Sequence, residues 1–186
     1  MFRQSRAAAR SGTNGPCPAR AGVRAGTAGG FVGGRVRAMT TEDEYEPSPW
    51  EWVRDQVETY ERTGGREANT LADTGMPVII VTTRGNKTGK VRKMALMRVE
   101  HDGEYALVAS MGGAPKHPVW YFNLQAHPDD VSIQDGPEPF PVTVREVDGE
   151  ERRVWWERAV AAYPPYAEYQ EKTERRIPVL IASRRA

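Results

Sequence analysis

Cysteine is all but missing from this 186-residue chain: Cys17 stands alone. An intrachain disulfide, a cysteine zinc cluster and an iron–sulfur centre are therefore excluded, and a reducing, cytoplasmic compartment fits. Histidine is scarce as well, and His101, His117 and His127 have neither the spacing nor the helical setting of a metal site. No stretch approaches the roughly 20 apolar residues needed to cross a bilayer; the longest apolar run of the body, Val78 to Val81, is of strand size. No Gly-x-Gly-x-x-Gly leads from a strand into a helix, which argues against a Rossmann unit. Gly85-Asn86-Lys87-Thr88 lacks the glycine spacing and the long following helix of a P-loop. No Gly-x-Ser-x-Gly elbow marks a hydrolase nucleophile.

What is present divides sharply by charge. The first 38 residues hold seven arginines and no acid, whereas the remainder holds 19 basic and 25 acidic residues. A near-neutral total thus conceals a basic tail on a mildly acidic body, and no global nucleic-acid-binding surface is expected. Residues 1–39, rich in Arg, Ala and Gly, cannot bury enough apolar surface to offset chain entropy and read as a disordered tail. Their composition resembles a transit peptide. The acidic stretch directly after Met39 favours instead a start codon placed too early. Residues 40–186 are left as one domain of ordinary size.

Within that body, Ser48, Pro49 and Glu51 have the pattern of a capped helix start. The helix is expected to run to Arg62, with Trp50, Val53, Val57 and Tyr60 on one apolar stripe, until Gly64 and Gly65 end it. Strands are expected over Pro77–Thr83, Val91–Glu100, Glu104–Ser110, Asp130–Gln134, Val142–Val147 and Ile177–Ala182. Asp102-Gly103 supplies the positive dihedrals of a tight hairpin. Helices fit Val119–Gln125, Glu150–Ala162 and Pro165–Thr173. About six strands without strict β-α-β alternation favour a closed or split antiparallel barrel over a doubly wound sheet.

Two groups of residues could carry chemistry. Arg84, Lys87, Lys90, Arg92 and Lys93 surround Gly85 and Gly89, and a basic turn with close backbone approach suits a phosphate or carboxylate; a merely solvated turn has the same composition. Tyr163, Tyr166 and Tyr169 recur every three residues, so three phenols could stack on a planar ring while one hydroxyl donates a proton. Half-buried packing residues would show the same spacing.

Three blocks in this order, Thr82-Thr-Arg-Gly-Asn-Lys-Thr-Gly-Lys-Val-Arg92, Ala109-Ser-Met-Gly-Gly-Ala-Pro-Lys-His-Pro-Val-Trp-Tyr-Phe-Asn-Leu124 and Tyr163-Pro-Pro-Tyr-Ala-Glu-Tyr-Gln170, resemble the deazaflavin-dependent nitroreductase family, also described as quinone reductases. The resemblance implies a split β-barrel that holds coenzyme F420, with the cofactor's phosphate and acidic tail near the basic turn. Carried over by position, the cofactor would meet Asn86, Lys87 and Thr88; Arg92, Lys93, Met94, Ala95, Leu96 and Met97; Val108, Ala109, Ser110 and Met111; and Val119, Trp120, Tyr121, Phe122 and Asn123. Tyr166 would stand by the deazaflavin ring, with Ser110, Tyr163 and Tyr169 lining the acceptor pocket. Asn86 stands where the family usually has Arg, and Met111 where it often has Lys.

The implied reaction moves a hydride from reduced F420 to a quinone, nitroaromatic or activated alkene, with Tyr166 or Ser110 stabilising or protonating the acceptor. An FMN-dependent reductase of the same fold and a non-catalytic deazaflavin carrier are the competing readings. Pairing into a homodimer, and peripheral membrane contact through Trp50 and Trp52 on the first helix, complete the expectations.

Overall fold

The computed structural model describes residues 44–185; the basic tail and the boundary at Met39 lie outside them. Among the described residues, seven strands form one sheet: β1 (Val78–Arg84), β2 (Val91–Met97), β3 (Glu100–His101), β4 (Glu104–Val108), β5 (Val131–Gln134), β6 (Pro139–Glu146) and β7 (Val179–Arg184). Their order is β2-β1-β5-β6-β7-β4-β3, and each neighbouring pair is antiparallel. The outermost strands are two halves of one segment. Residues 91–97 pair with β1 and residues 100–101 with β4, so the two edges are joined covalently through Arg98 and Val99. A sheet whose edges share a chain must curl, which gives the expected split antiparallel barrel.

Burial follows from that curl. Ile79 and Val81 of β1, Leu107 of β4, Ile133 of β5, Val142 and Val144 of β6 and Leu180 of β7 meet in one cluster with Leu124, as residues pointing into a barrel do. Val78, Ile80, Ala106, Val108, Val179 and Ile181 point the other way and meet Val57, Tyr60, Trp155, Ala159 and Tyr166. Those come from α1 (Glu51–Thr63), α3 (Gly149–Ala162) and α4 (Pro165–Glu171), while Leu124 comes from α2 (Val119–Ala126). Strands covered on both faces carry unbroken apolar runs, such as Val78–Val81 and Val179–Ala182, whereas β6 alternates buried and exposed residues because helices cover only one side of the barrel.

Several expected boundaries shift for local reasons. The first helix begins at Glu51 with Trp50 as its cap residue, and the Ser48 hydroxyl accepts only from the Trp50 amide at 3.2 Å. Trp50 is 61% exposed and does not join the apolar stripe. The Val91–Glu100 strand breaks at the barrel corner. Pro139 and Pro141 lie inside β6, not in a turn before it; the ladder with β7 starts at Val142 and ends on one bond from the Arg185 amide to the Pro141 carbonyl at 3.0 Å, so the missing N–H groups fall at the end of that pairing or beyond it. The last strand starts two residues late, because the Ile177 amide donates to the Gln170 side chain at 2.9 Å. Asp102 and Gly103 do adopt positive φ, at 52° and 81°, as the hairpin requires.

The corner is tied by side chains. Asp135, after β5, accepts from Arg98 Nε at 2.8 Å and from the Tyr105 hydroxyl at 2.9 Å. Burial and this carboxylate push the Tyr105 phenol up to about 12. Asp135→Ala strips both donors of their acceptor and is expected to cost about 1–3 kcal/mol, read as a lower urea midpoint at unchanged slope; a midpoint within error of wild type would show that chain continuity alone holds the corner.

Candidate active site

Antiparallel order sends the ends of β1, β4 and β6 and the starts of β2, β5 and β7 to one end of the barrel. The β1–β2 turn, the loop after β4, the exit of α2 and the segment leading from α4 into β7 therefore share that end. All three motif blocks of the sequence converge there.

The turn is closed by Gly85 N–H to the Lys90 carbonyl and Gly89 N–H to the Gly85 carbonyl, both at 2.8 Å. A Cβ at Gly85 would lie 2.9 Å from Thr88 Oγ1, so the turn tolerates little bulk there. Asn123 Oδ1 accepts from the Asn86 amide at 3.0 Å, fastening the turn to α2. Most of its cations are already engaged. Arg84 pairs with Asp130; Lys90 meets Glu44 at 2.7 Å, Arg92 meets Glu46 at 2.7 Å and Lys93 meets Glu61 at 2.7 Å. Glu44 and Glu46 are held in place because the Val91 backbone bonds to both of them, accepting from Glu46 N–H and donating to the Glu44 carbonyl. Lys87, exposed at the turn's tip, is the cation of the five without a partner among the described residues.

Ala95 of β2 packs with the helix-covered cluster, and Met94 and Leu96 with the barrel interior, so the register alternates along Arg92–Met97. Of the expected α2 residues, Val119 and Phe122 are exposed and Trp120 packs toward the interior. Tyr121 stacks on His117 and donates to Glu146 at 2.8 Å. It faces a small polar cleft with Asp148, Arg152 and Arg176 instead of the tyrosine helix.

After β4, Val108, Ala109 and Ser110 are buried and Met111 is 54% exposed. Met111, Gly112 and Gly113 all have positive φ, at 48°, 65° and 82°. A Cβ at Gly113 would stand 2.7 Å from the Tyr169 carbonyl oxygen, so this glycine lets the loop touch α4. There, Tyr163 and Tyr166 rings cross edge-to-face with centroids 5.0 Å apart, and the Tyr163 and Tyr169 hydroxyls share a hydrogen bond at 3.2 Å. Burial, followed by the neighbouring phenols, pushes the Tyr166 pKa up, and burial with the Tyr169 hydrogen bond pushes Tyr163 up to about 12. Both stay protonated donors near neutrality. Neither the Ser110 nor the Tyr166 hydroxyl makes a hydrogen bond within the described residues, although both residues are buried.

Sequence reasoning missed Arg175 and Gln170. Arg175 donates from Nε to the Ala114 carbonyl at 2.8 Å, from one terminal nitrogen to the carbonyls of Ala109 and Ser110 at 3.1 and 2.7 Å, and from the other to His117 Nδ1 at 3.1 Å. Gln170 binds the Arg175 carbonyl and the Ile177 amide, both at 2.9 Å. The only available signal was an arginine and a glutamine flanking the last motif block, which no spacing rule picks out.

Phenols on a short helix and a buried serine at the mouth of a curled antiparallel barrel fit an enzyme of the split-barrel class that takes a flat ring. The chain belongs to the F420H(2)-dependent quinone reductase family, whose model matches residues 52–184. An F420H(2)-dependent quinone reductase of Mycobacterium tuberculosis is 36% identical over 129 residues, covering 68% of this chain and 85% of that protein. Among solved structures, an F420-H2 dependent reductase superposes with a TM-score of 0.55 at 59% identity, over 57% of this chain and 94% of that one. A chain described as a domain-swapped dimer gives a TM-score of 0.57 at 53% identity, over 73% of this chain and 100% of that one. The family makes the activity F420H2-dependent oxidoreduction on a small-molecule acceptor, with coenzyme F420 as the cofactor. Among the described residues no helix is long and apolar enough to cross a membrane.

The residues present fit such a cofactor: Lys87 is exposed and unpaired among the described residues, and the buried Ser110 and Tyr166 hydroxyls have no hydrogen-bond partner there. The close approach of loop and helix also yields a stability prediction. Gly113→Ala is expected to lose about 2–4 kcal/mol through backbone strain and overlap with Tyr169, against about 1 kcal/mol for Gly112→Ala, which strains the same kind of dihedral in open space. Equal losses in thermal unfolding would remove the steric role of Gly113.

Proposed function

We propose that this protein reduces quinones, nitroaromatics or activated alkenes at the barrel end carrying Lys87, Ser110 and Tyr166. The observation that carries this reading is the uncommitted Tyr166 hydroxyl: a buried phenol, 4% exposed, flanked by two others and without a hydrogen-bond partner among the described residues. Reduced F420, when bound, supplies the hydride. The chain's own part is to hold that ring, exclude water and place donors where charge develops on the acceptor. Tyr166 gives a hydrogen bond or proton to that atom, Ser110 assists it, and Tyr163 and Tyr169 wall the acceptor pocket. Asn86, Lys87 and Thr88 receive the cofactor's anionic end, with Arg92–Met97, Val108–Met111 and Val119–Asn123 along its length.

A domain-swapped relative supports pairing of two copies. The exposed Trp50 and Trp52 support peripheral contact with a membrane from which a lipid-soluble quinone could be drawn, and the lone cysteine fits cytoplasmic residence.

The decisive experiment is titration of the purified protein with oxidised F420 and, separately, FMN, followed by reoxidation of F420H2 with a menaquinone and nitroaromatic panel. Preference for FMN would replace the cofactor assignment; F420 binding without reoxidation would make the protein a carrier. Tyr166→Phe is expected to lower turnover on the order of 10²-fold while F420 affinity changes little. Because the Tyr166 pKa lies above the ordinary 10.0, the donor form persists and wild-type turnover should show no alkaline loss from this group below that pH. Unchanged turnover in Tyr166→Phe with several acceptors would take this phenol out of the mechanism. Lys87→Ala should weaken F420 binding about tenfold, with affinity also falling as salt rises; indifference to both would move the anionic end elsewhere.

A further inference from the structure

We infer that Arg175 is a positioning residue that sets Ser110 against the tyrosine helix. This rests on the reading of Ser110 as an acceptor contact. The guanidinium spans three carbonyls, those of Ala109, Ser110 and Ala114, which bracket the Met111–Gly113 turn from both sides. A planar fork with five fixed donors can hold such a set at once, whereas the ammonium of lysine is a point charge without that geometry. No carboxylate takes part, so Arg175 is tied to the backbone of the loop and not to a surface ion pair. Backbone carbonyls held at both ends leave the intervening turn, with its three positive-φ residues, little freedom to drift.

The clamp is itself anchored to α4. Gln170, one residue beyond Tyr169, accepts from the Ile177 amide and donates to the Arg175 carbonyl, fixing the segment that carries the guanidinium. On the other side of the loop, Gly113 lies against the Tyr169 backbone. Arg175 and Gly113 thus connect the Ser110 loop by two independent routes to α4, which carries Tyr166 and Tyr169 and follows Tyr163 at the end of α3. Arg175 touches the loop's backbone, so its contribution to the reaction passes through Ser110.

The test compares Arg175→Lys with wild type, Ser110→Ala and the double variant. Without any cofactor, hydrogen exchange at the amides of residues 110–114 should accelerate about tenfold or more in Arg175→Lys, with exchange in β1 and β5 unchanged. With F420H2 and a quinone, Arg175→Lys should lower turnover on the order of tenfold to a hundredfold while the F420 dissociation constant stays within about twofold. In the Ser110→Ala background the same substitution should cost nothing further. Arg98→Lys, at the opposite end of the barrel, serves as a comparator for general loss of stability and should leave loop exchange as in wild type. Should Arg175→Ala fail to fold, the lysine variant still decides the matter. Unaltered exchange at 110–114 overturns the inference whatever the enzyme does. Independent, multiplying losses in the double variant overturn the route through Ser110. A wild-type protein that binds no F420 yet shows the exchange effect sinks the proposed function and leaves the clamp standing.

Discussion

Everything in this fold depends on one segment serving as both edges of a single sheet. Because residues 91–101 pair with β1 at one end and β4 at the other, the sheet has no flat alternative. Its interior fills from β1, β4, β5, β6 and β7 together with Leu124. Antiparallel order then delivers every chemistry-bearing connection to one mouth. The opposite end carries the Arg98–Asp135–Tyr105 tie and the Asp102-Gly103 hairpin, so the closure of the barrel and the three motif blocks occupy separate ends.

Electrostatics at the mouth is a matter of differences. Five cations stand around the turn, and four carboxylates, Glu44, Glu46, Glu61 and Asp130, are already in contact with four of them. Partly exposed pairs of this kind are worth little to stability, but they lower the positive charge offered to an incoming anion. Lys87 is left as the cation able to act without breaking an existing contact. The backbone N–H of Asn86 donates to Asn123 Oδ1 and so ties the turn to α2. The turn therefore offers a small, localised charge on a fixed loop.

Much of the fold was legible because strand-length apolar runs and turn residues act locally. The Asp102-Gly103 hairpin, the strand at Val78 and the helix from Pro165 needed no partner to be recognised. Pro139 and Pro141 misled, since a proline is excluded from the paired middle of a strand and not from its end, and the pairing with β7 ends at Pro141. Ile177 misled in the opposite way: its apolar character fits a strand, but Gln170 takes its amide. At the mouth, the residue types were readable in Lys87, Ser110 and the three tyrosines, whereas the engagement of Arg92 and Lys93 by Glu46 and Glu61 was not, because those partners lie 46 and 32 positions away in sequence.

The amino-acid sequence by itself determined the motif blocks, the secondary elements and the resemblance that named the cofactor, since each resides in neighbours along the chain. Only the tertiary structure decided which cations are free, which hydroxyls lack partners and that Arg175 grips the Ser110 loop. Those properties belong to pairs of groups far apart in the chain, and a backbone carbonyl, present at every residue, leaves no mark in the sequence when a distant guanidinium selects it.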